Sequence, residues 1–292
     1  MAGGLQEVRE RITSVQNTMQ ITSAMKMVSA AKLKRAQDAI TQMRPYASKL
    51  KEILTNLSAS LDLSDNAYSE EREGGKVLIV GITSNRGLCG GFNNNVIKRV
   101  NELIQNDFKD QDVHVLCLGK KIKDVLKRTD HFYTNDFLSA REDIYADLTF
   151  ENVSEIGEEL MNLYKSGEFS KICVVYNQFV NAATQYVETE QFLPVLPPEI
   201  EEGPQSGDYI FEPSKDEIVE DLIPKSLKVQ IFKAILDSNA AEHGARMTAM
   251  HKATDNANEL QKSLKLSYNK ARQAAITNEI LEIVGGAEAL NA

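Results

Sequence analysis

A glycine-rich segment after the first apolar run of the middle of the chain is the stretch best suited to chemistry. Ser84–Asn93 reads Ser-Asn-Arg-Gly-Leu-Cys-Gly-Gly-Phe-Asn and follows Lys76–Ile82, which has the composition of a buried strand. Nucleotide-binding folds hold phosphate groups with a strand, a glycine loop and a helix in this order. The segment could therefore bind a nucleotide, and Cys89 could act as a nucleophile.

The spacing of the glycines favours a simpler interpretation. Gly87, Gly90 and Gly91 give GxxGG instead of GxGxxG, and no Gly-Lys-Ser/Thr follows them. No acidic residue is clearly placed for a ribose, and no general base is placed for Cys89. We interpret the loop as a tight strand-to-helix turn with a structural thiol. A soluble nucleotide-dependent enzyme stays open as an alternative hypothesis.

The other residues that could do chemistry form no pattern typical of a site. His243 and His251 are eight residues apart, which is too far for adjacent ligands of one metal ion. The acidic residues of the middle segment fit a solvated face. Three cysteines, far apart and odd in number, indicate reduced thiols in a cytosolic compartment. The N-terminus resembles neither a signal nor a transit peptide. We expect no metal and no cofactor.

Long helices at the two ends of the chain would have to position any functional surface. Residues at alternating three- and four-residue spacing form a heptad-like seam from Leu5 to Leu61. Thr22, Lys26 and Ser29 interrupt its apolar character. Burying a lysine without a partner is costly. Either Lys26 reaches water from the edge of the seam, or this part of the seam contacts another protein.

A second seam occupies the C-terminal segment. It passes through Met250, Ala253, Ala257, Leu260, Leu264, Ser267, Ala271 and Ala274. Ser214–Glu217 has the sequence of a helix capping box. Pro45 in the first helix and Pro224 near the start of the last are expected to kink or break them. Seams at opposite ends of the chain predict an antiparallel coiled coil of the terminal helices.

The middle of the chain has the pattern of a small α/β domain. Short apolar runs predict strands at 76–82, 113–118, 131–137, 171–176 and 184–193. Helical spacing lies between them, around 95–106, 120–128 and 148–163. Strands that alternate with helices predict a doubly wound parallel sheet. The expected fold class is α/β, with a long antiparallel coiled coil and a small Rossmann-like parallel-sheet domain.

Charge is spread unevenly over these parts. Residues 1–60 carry nine basic and four acidic side chains, whereas residues 61–213 carry 14 and 27. A basic segment beside an acidic one suits nucleic acid, an anionic membrane surface or an acidic protein as partner, although a solvated face explains any single charge run. No apolar run approaches the roughly 18 residues of a spanning helix, which excludes an integral membrane protein.

Four separated blocks resemble the gamma subunit of the F-type ATP synthase, in the order of that family and over essentially the whole chain. They are Ile12–Leu33, Ser84–Asn93, Glu242–Asn256 and Tyr268–Ala287. The resemblance implies a non-catalytic rotor in a bacterial enzyme. Its terminal helices, 1–61 and 214–292, would form a shaft inside a ring of three alpha and three beta subunits. Residues 62–213, which end in an irregular connector, would form a foot on the membrane c ring beside epsilon.

The resemblance also implies which residues contact partners. Met25, Lys26 and Arg35 would offer apolar and cationic contact to the acidic loops of beta. Further beta contacts are implied at Arg246, Arg272 and Gln273, and contacts with the c ring or epsilon at Tyr209, Phe211 and Glu212. Local helix packing or solvation is the alternative reading of each residue.

The resemblance implies neither nucleic acid nor direct nucleotide binding. It places the subunit peripherally at the cytoplasmic face of the bacterial inner membrane. A coiled-coil adaptor unrelated to rotary enzymes is a third hypothesis, and it predicts homodimers formed through the two seams.

Overall fold

The computed structural model describes residues 2–58, 66–72, 74–139, 144–145, 147–195 and 215–291. The side chains of 2–4, 51, 54–58, 215–220 and 288–291 lie outside the description. The chain divides into two compact units. One consists of the residues up to Ser29 together with those from Met247 onward, and the other of Ala30–Arg246.

Two long helices begin and end the described chain. Helix α1 spans Ala2–Ser58 and helix α6 spans Lys215–Asn291. Neither proline ends its helix, since α1 continues through Pro45 and α6 through Pro224. A break at Pro224 is therefore not found. The predicted capping box begins at Ser214, which lies outside the described residues.

The described residues between the long helices form five strands and four shorter helices. The strands are β1 Lys76–Ile82, β2 Asp112–Leu118, β3 Phe132–Tyr133, β4 Lys171–Phe179 and β5 Gln185–Leu193. The helices are α2 Phe92–Glu102, α3 Lys120–Leu126, α4 Asp136–Ser139 and α5 Phe150–Lys165. A π-helical turn, Leu103–Asp107, extends α2. The third predicted strand is much shorter than expected, because Asp136 begins α4.

The sheet has the order β3-β2-β1-β4-β5. Strands β1, β2, β3 and β4 are parallel, as the alternation of strands and helices predicts. Strand β5 is antiparallel to β4. Only Val180–Thr184 connect the two strands, and so short a segment suits a hairpin, since a parallel crossover needs a dozen or more residues.

Both faces of the sheet are covered, which explains why β1 is apolar along almost its whole length. Leu78, Val80 and Ile82 pack in a core formed with α5 and with α6. Val77 and Ile79 point to the opposite face, where α2 and α3 supply the second core. This arrangement confirms the predicted doubly wound fold class.

The N-terminal seam agrees with its prediction at every described position. All fourteen seam residues from Leu5 to Leu50 are buried or partly buried. The last three predicted positions, Leu54, Leu57 and Leu61, lie outside the described side chains.

Within the first unit the helices run antiparallel. Thr22 Oγ1 lies 2.8 Å from Thr254 Oγ1, and Lys26 Nζ lies 3.5 Å from His251 Nδ1. The helix pair of the first unit therefore carries a polar layer in its seam.

The C-terminal seam agrees with its prediction at four positions, Met250, Ala253, Ala257 and Leu264, which are buried or partly buried, and it differs at the other four. Met250 and Ala257 are buried as expected, but Leu260 is 51% exposed and Gln261 only 9%. Ser267, Ala271 and Ala274 are exposed as well, and Tyr268 is partly buried. Residues three and four places from an anchor lie on adjacent parts of a helix surface, and the partner helix covers the set that contains Thr254, Gln261 and Tyr268.

Candidate functional site

The glycine loop after β1 closes on its own side chains. The backbone N–H of Ser84 donates to Asn93 Oδ1 at 2.9 Å, and Asn93 Nδ2 donates to Ser84 Oγ at 2.9 Å. Asn93 Nδ2 also lies 3.1 Å from the sulfur of Cys89. All three residues are buried. Cys89 is therefore a structural member of a polar cluster at the start of α2.

A second loop crosses the end of β1 at very short range. Gly119 has a φ of +109°, and a Cβ added there would lie 2.0 Å from the carbonyl oxygen of Thr83. The Thr83 hydroxyl accepts from the backbone N–H of Ile122 at 3.1 Å, and the hydroxyl of Tyr145 donates to the Thr83 carbonyl at 3.0 Å. These contacts fix the end of β1 to the loop before α3 and to Tyr145.

Helix α6 covers the same end of the sheet. The Arg246 guanidinium donates to the carbonyl oxygens of Arg86 at 3.1 Å and Gly87 at 3.3 Å, and it pairs with Glu242 one turn earlier. Gly244 passes so close to the β4–β5 hairpin that an added Cβ would lie 3.3 Å from the Cα of Ala182. Doubly wound folds bind ligands at such a switch point, here between β1 and β4. In this chain α6 occupies it.

The Glu242–Arg246 pair is largely removed from water. Arg246 is 8% exposed and Glu242 9%. Burial raises the pKa of Glu242, although Arg246 attracts its ionised form. Because an arginine that loses such a partner leaves a buried charge uncompensated, the pair is costly to break. It fixes the glycine loop to α6.

The residues implied as partner contacts are spread over both units. Met25 and Lys26 are partly buried on α1, whereas Arg272 and Gln273 are exposed on α6 in the same unit. Arg35 is exposed in the other unit. Arg246 points inward, as described above. Tyr209, Phe211 and Glu212 lie outside the described residues.

The last turns of α6 carry an exposed apolar surface that no seam explains. Ile280, Leu281, Ile283 and Val284 are each at least half exposed. Such large side chains in consecutive turns are typical of a surface that a partner covers.

Sequence reasoning missed a polar network inside the sheet unit. The Glu190 carboxylate accepts from the hydroxyl of Tyr176 at 2.6 Å, from Lys233 at 3.2 Å and from Gln230 at 3.3 Å. Burial opposes ionisation of Glu190, but Lys233 and these hydrogen bonds lower its pKa. In the sequence, only the polar residues within the apolar start of α6 could have indicated it.

In the part of the chain that the structure describes, no group of three or more histidine, cysteine or acidic side chains is arranged to hold a metal ion. No helix among the described residues is both long and apolar enough to span a membrane.

Comparison with known proteins connects all these elements to one family. The family model described as ATP synthase matches residues 4–290. The ATP synthase gamma chain of Christiangramia forsetii is 62% identical over 290 residues, with 98% of this chain and 99% of that chain covered. The gamma chain of Flavobacterium johnsoniae is 63% identical over 289 residues, with the same coverage.

Solved structures agree in fold. A chain of the rotor of the Euglena gracilis mitochondrial ATP synthase matches with a TM-score of 0.65 at 21% identity, covering 94% of this chain and all of that one. A chain from the OSCP/F1/c-ring part of the same enzyme matches with a TM-score of 0.66 at 22% identity, covering 99% and 95%. Because the family match and the curated relatives extend through both long helices and the sheet between them, this chain belongs to the ATP synthase gamma chain family.

Proposed function

We propose that this chain is the central-stalk rotor subunit of a bacterial F-type proton-translocating ATP synthase. It couples rotation of the membrane c ring to the conformational cycle of the catalytic beta subunits, in ATP synthesis and in hydrolysis. Membership of the gamma chain family over residues 4–290 carries the proposal. The subunit is not itself catalytic. The contacts of Arg246 and Gly244 at the switch point of the sheet, where doubly wound folds bind ligands, support this part of the proposal.

The proposed division of the chain is a shaft and a foot. Residues 1–61 and 214–292 form the shaft, and residues 62–213 form the foot that meets the c ring and epsilon. A part that transmits torque must resist bending, and the covered seam of α1 from Leu5 to Leu50 supports such stiffness. The subunit is held peripherally at the cytoplasmic face of the inner membrane through the c ring.

The beta subunits are the proposed partners of the shaft. Lys26 keeps a cationic group at the edge of the helix pair, and Arg35, Arg272 and Gln273 are exposed. Charge complementarity with acidic loops guides such a contact without one deep energy minimum, which a rotating surface requires.

The proposal also includes Arg246 as a contact of beta, and three residues of the foot as contacts of the c ring and epsilon. Arg246 meets beta only if it releases a carbonyl group of the glycine loop, since its guanidinium already binds two. Contacts with the c ring and epsilon are proposed at Tyr209, Phe211 and Glu212.

Purification of the tagged chain from native membranes, followed by native mass spectrometry, tests the proposal. We expect one copy with three alpha and three beta subunits, and ATPase activity in the complex only. A homodimer without these subunits would favour a coiled-coil adaptor. An isolated chain that binds ATP or NAD in calorimetry would favour the nucleotide-dependent enzyme.

A further inference from the structure

Helix α6 is enclosed on all sides where it crosses the end of the sheet. From Ala234 to Glu242 every residue is buried except Asn239, which is partly buried. An ordinary surface helix covers one face and leaves the opposite face in water. A helix that stays covered over more than two turns lies in a crevice, and the loops that follow β1 and β4 contact this one.

One side of α6 contacts the glycine loop after β1. The Arg246 guanidinium donates to the carbonyl oxygens of Arg86 and Gly87, at 3.1 and 3.3 Å. The same guanidinium pairs with the buried carboxylate of Glu242, one turn earlier in α6. Because the N–H donors of a guanidinium form a rigid planar fork, these three acceptors together fix its direction. Any rotation of this side of α6 relative to the loop must break the bonds to the two carbonyl groups.

The other side of α6 contacts the hairpin between β4 and β5. A Cβ added at Gly244 would lie 3.3 Å from the Cα of Ala182 and 3.5 Å from a ring carbon of Phe179, the last residue of β4. At 3.6 residues per turn, position 244 lies about 160° around the helix axis from positions 242 and 246. The glycine loop and the hairpin therefore contact opposite sides of α6 within about one helical turn.

We propose that Gly244 and the Glu242–Arg246 pair form a lock that prevents α6 from turning about its own axis in the sheet unit. The lock lies where this unit ends, because Arg246 is its last residue and α6 continues as one helix to Asn291. Gly244, Glu242 and Arg246 are positioning residues, which act through the orientation of α6.

The inference rests on the proposed function, in which the foot turns with the c ring and α6 carries this rotation into the shaft. A helix that could turn between its neighbours would lose part of the imposed rotation as slip. A helix that is held on two opposite sides transmits it. The lock therefore sets the efficiency of coupling, a quantity that stability alone does not determine.

The double variant Glu242→Gln/Arg246→Met tests the lock in inverted membrane vesicles. It removes both charges together, so that neither is left buried without its partner. We expect the ratio of ATP-driven proton pumping to ATP hydrolysis, measured on the assembled complex, to fall several-fold. Asp221→Asn/Lys225→Met is the matched control, because it removes an exposed ion pair of 3.6 Å with the same four-residue spacing in the same helix. The control should keep the unmodified ratio.

A cysteine pair, Ala182→Cys with Gly244→Cys, can replace the lock by a covalent bond. Disulfides join Cβ atoms about 3.5–4.5 Å apart, and a Cβ at position 244 lies within reach of residue 182. When the pair is added to the double variant, oxidation should restore the pumping ratio and reduction should lower it again. Such a rescue assigns the loss to the lock, since a disulfide within this chain cannot supply a contact with beta.

The lock is overturned if the double variant keeps the unmodified ratio, or if oxidation of the added cysteine pair does not restore it. If the double variant does not assemble, the cysteine pair in the otherwise unmodified chain decides. Oxidation should then leave pumping unchanged, because the lock stays closed during rotation. An arrest of ATP hydrolysis on oxidation would show that α6 turns in the crevice. Failure of the proposed function is distinguishable, because the unmodified chain would then be absent from any ATPase complex.

Discussion

Lys26 keeps its ammonium group at the edge of the helix pair by lying beside a histidine. The Nζ of Lys26 is 3.5 Å from His251 Nδ1. His251 Nδ1 in turn is 3.4 Å from a carboxylate oxygen of Asp255. The lysine is thus placed in a polar environment where the seam is not apolar. The sequence left two readings of Lys26 open, and this placement is compatible with both.

Lys26→Glu should impair coupling more than folding. The change reverses a charge at the proposed moving contact, whereas the exposed hydrogen bond between Lys26 and His251 contributes about 1 kcal/mol or less to stability. We expect ATP-driven proton pumping in inverted membrane vesicles to fall several-fold, with little loss of assembled complex. Lys98→Glu, on the exposed face of α2, is the control. Equal pumping by Lys26→Glu and wild-type vesicles would count against the contact.

Asn93 is expected to be essential for the glycine loop. Asn93→Ala leaves the buried N–H of Ser84 without its acceptor, which typically costs about 1–3 kcal/mol. Asn94→Ala removes the same amide from an exposed neighbour in α2 and should change stability by less than about 0.5 kcal/mol. Chemical denaturation of the purified protein measures both. Similar losses for the two variants would contradict the assigned role of Asn93.

The two helix seams show both the success and the failure of sequence patterns: the seam of α1 was predicted correctly, and that of α6 only in part. Periodicity located all fourteen described seam positions of α1, because that face of the helix is apolar on both sides of its polar interruption at Thr22, Lys26 and Ser29. In α6 the pattern selected Leu260 over Gln261 since leucine is apolar. The structure covers Gln261 instead, and hydrophobicity alone could not distinguish two adjacent faces that share Met250 and Ala257.

A pair of substitutions tests the corrected seam. Gln261→Leu places an apolar side chain at a covered position and should stabilise the first unit by about 1 kcal/mol. Leu260→Gln exchanges residues at an exposed position and should have almost no effect. Hydrogen exchange over residues 250–268 provides the measurement. If Leu260→Gln were clearly less protected from exchange than the wild type, the seam predicted from the sequence, with Leu260 covered, would be the correct one.

The sheet illustrates what local patterns can and cannot specify. Strand positions follow from short apolar runs, and β1 was located to the residue. The antiparallel direction of β5 follows from the short loop before it, because the five residues 180–184 are too few for a parallel crossover. Helix α6 covers the switch point through long-range contacts. Gly244 and Arg246 contact loops that are more than sixty residues away in sequence. No local window contains that information.

At the scale of the whole molecule, the exposed end of α6 concerns assembly. We propose that an apolar sleeve formed by the catalytic ring covers the exposed side chains of Ile280, Leu281, Ile283 and Val284. Removal of residues 280–292 should leave a complex that still assembles, with lower thermal stability and altered rotation. Single-molecule rotation and thermal inactivation of the truncated complex are the measurements. Unchanged values in both would argue against the sleeve.

The threonine pair of the first unit has a consequence for how the helices find each other. Heptad seams repeat, so two such helices can slide by seven residues and still bury apolar surface. A slide in one direction would set Thr22 opposite Met247 in place of Thr254, with which it now shares a hydrogen bond of 2.8 Å. A pair misaligned in that direction loses a hydrogen bond that the correct pair makes. The hydrogen bond between the two hydroxyl groups thus favours the correct register of a seam whose apolar residues alone would also allow a shifted one.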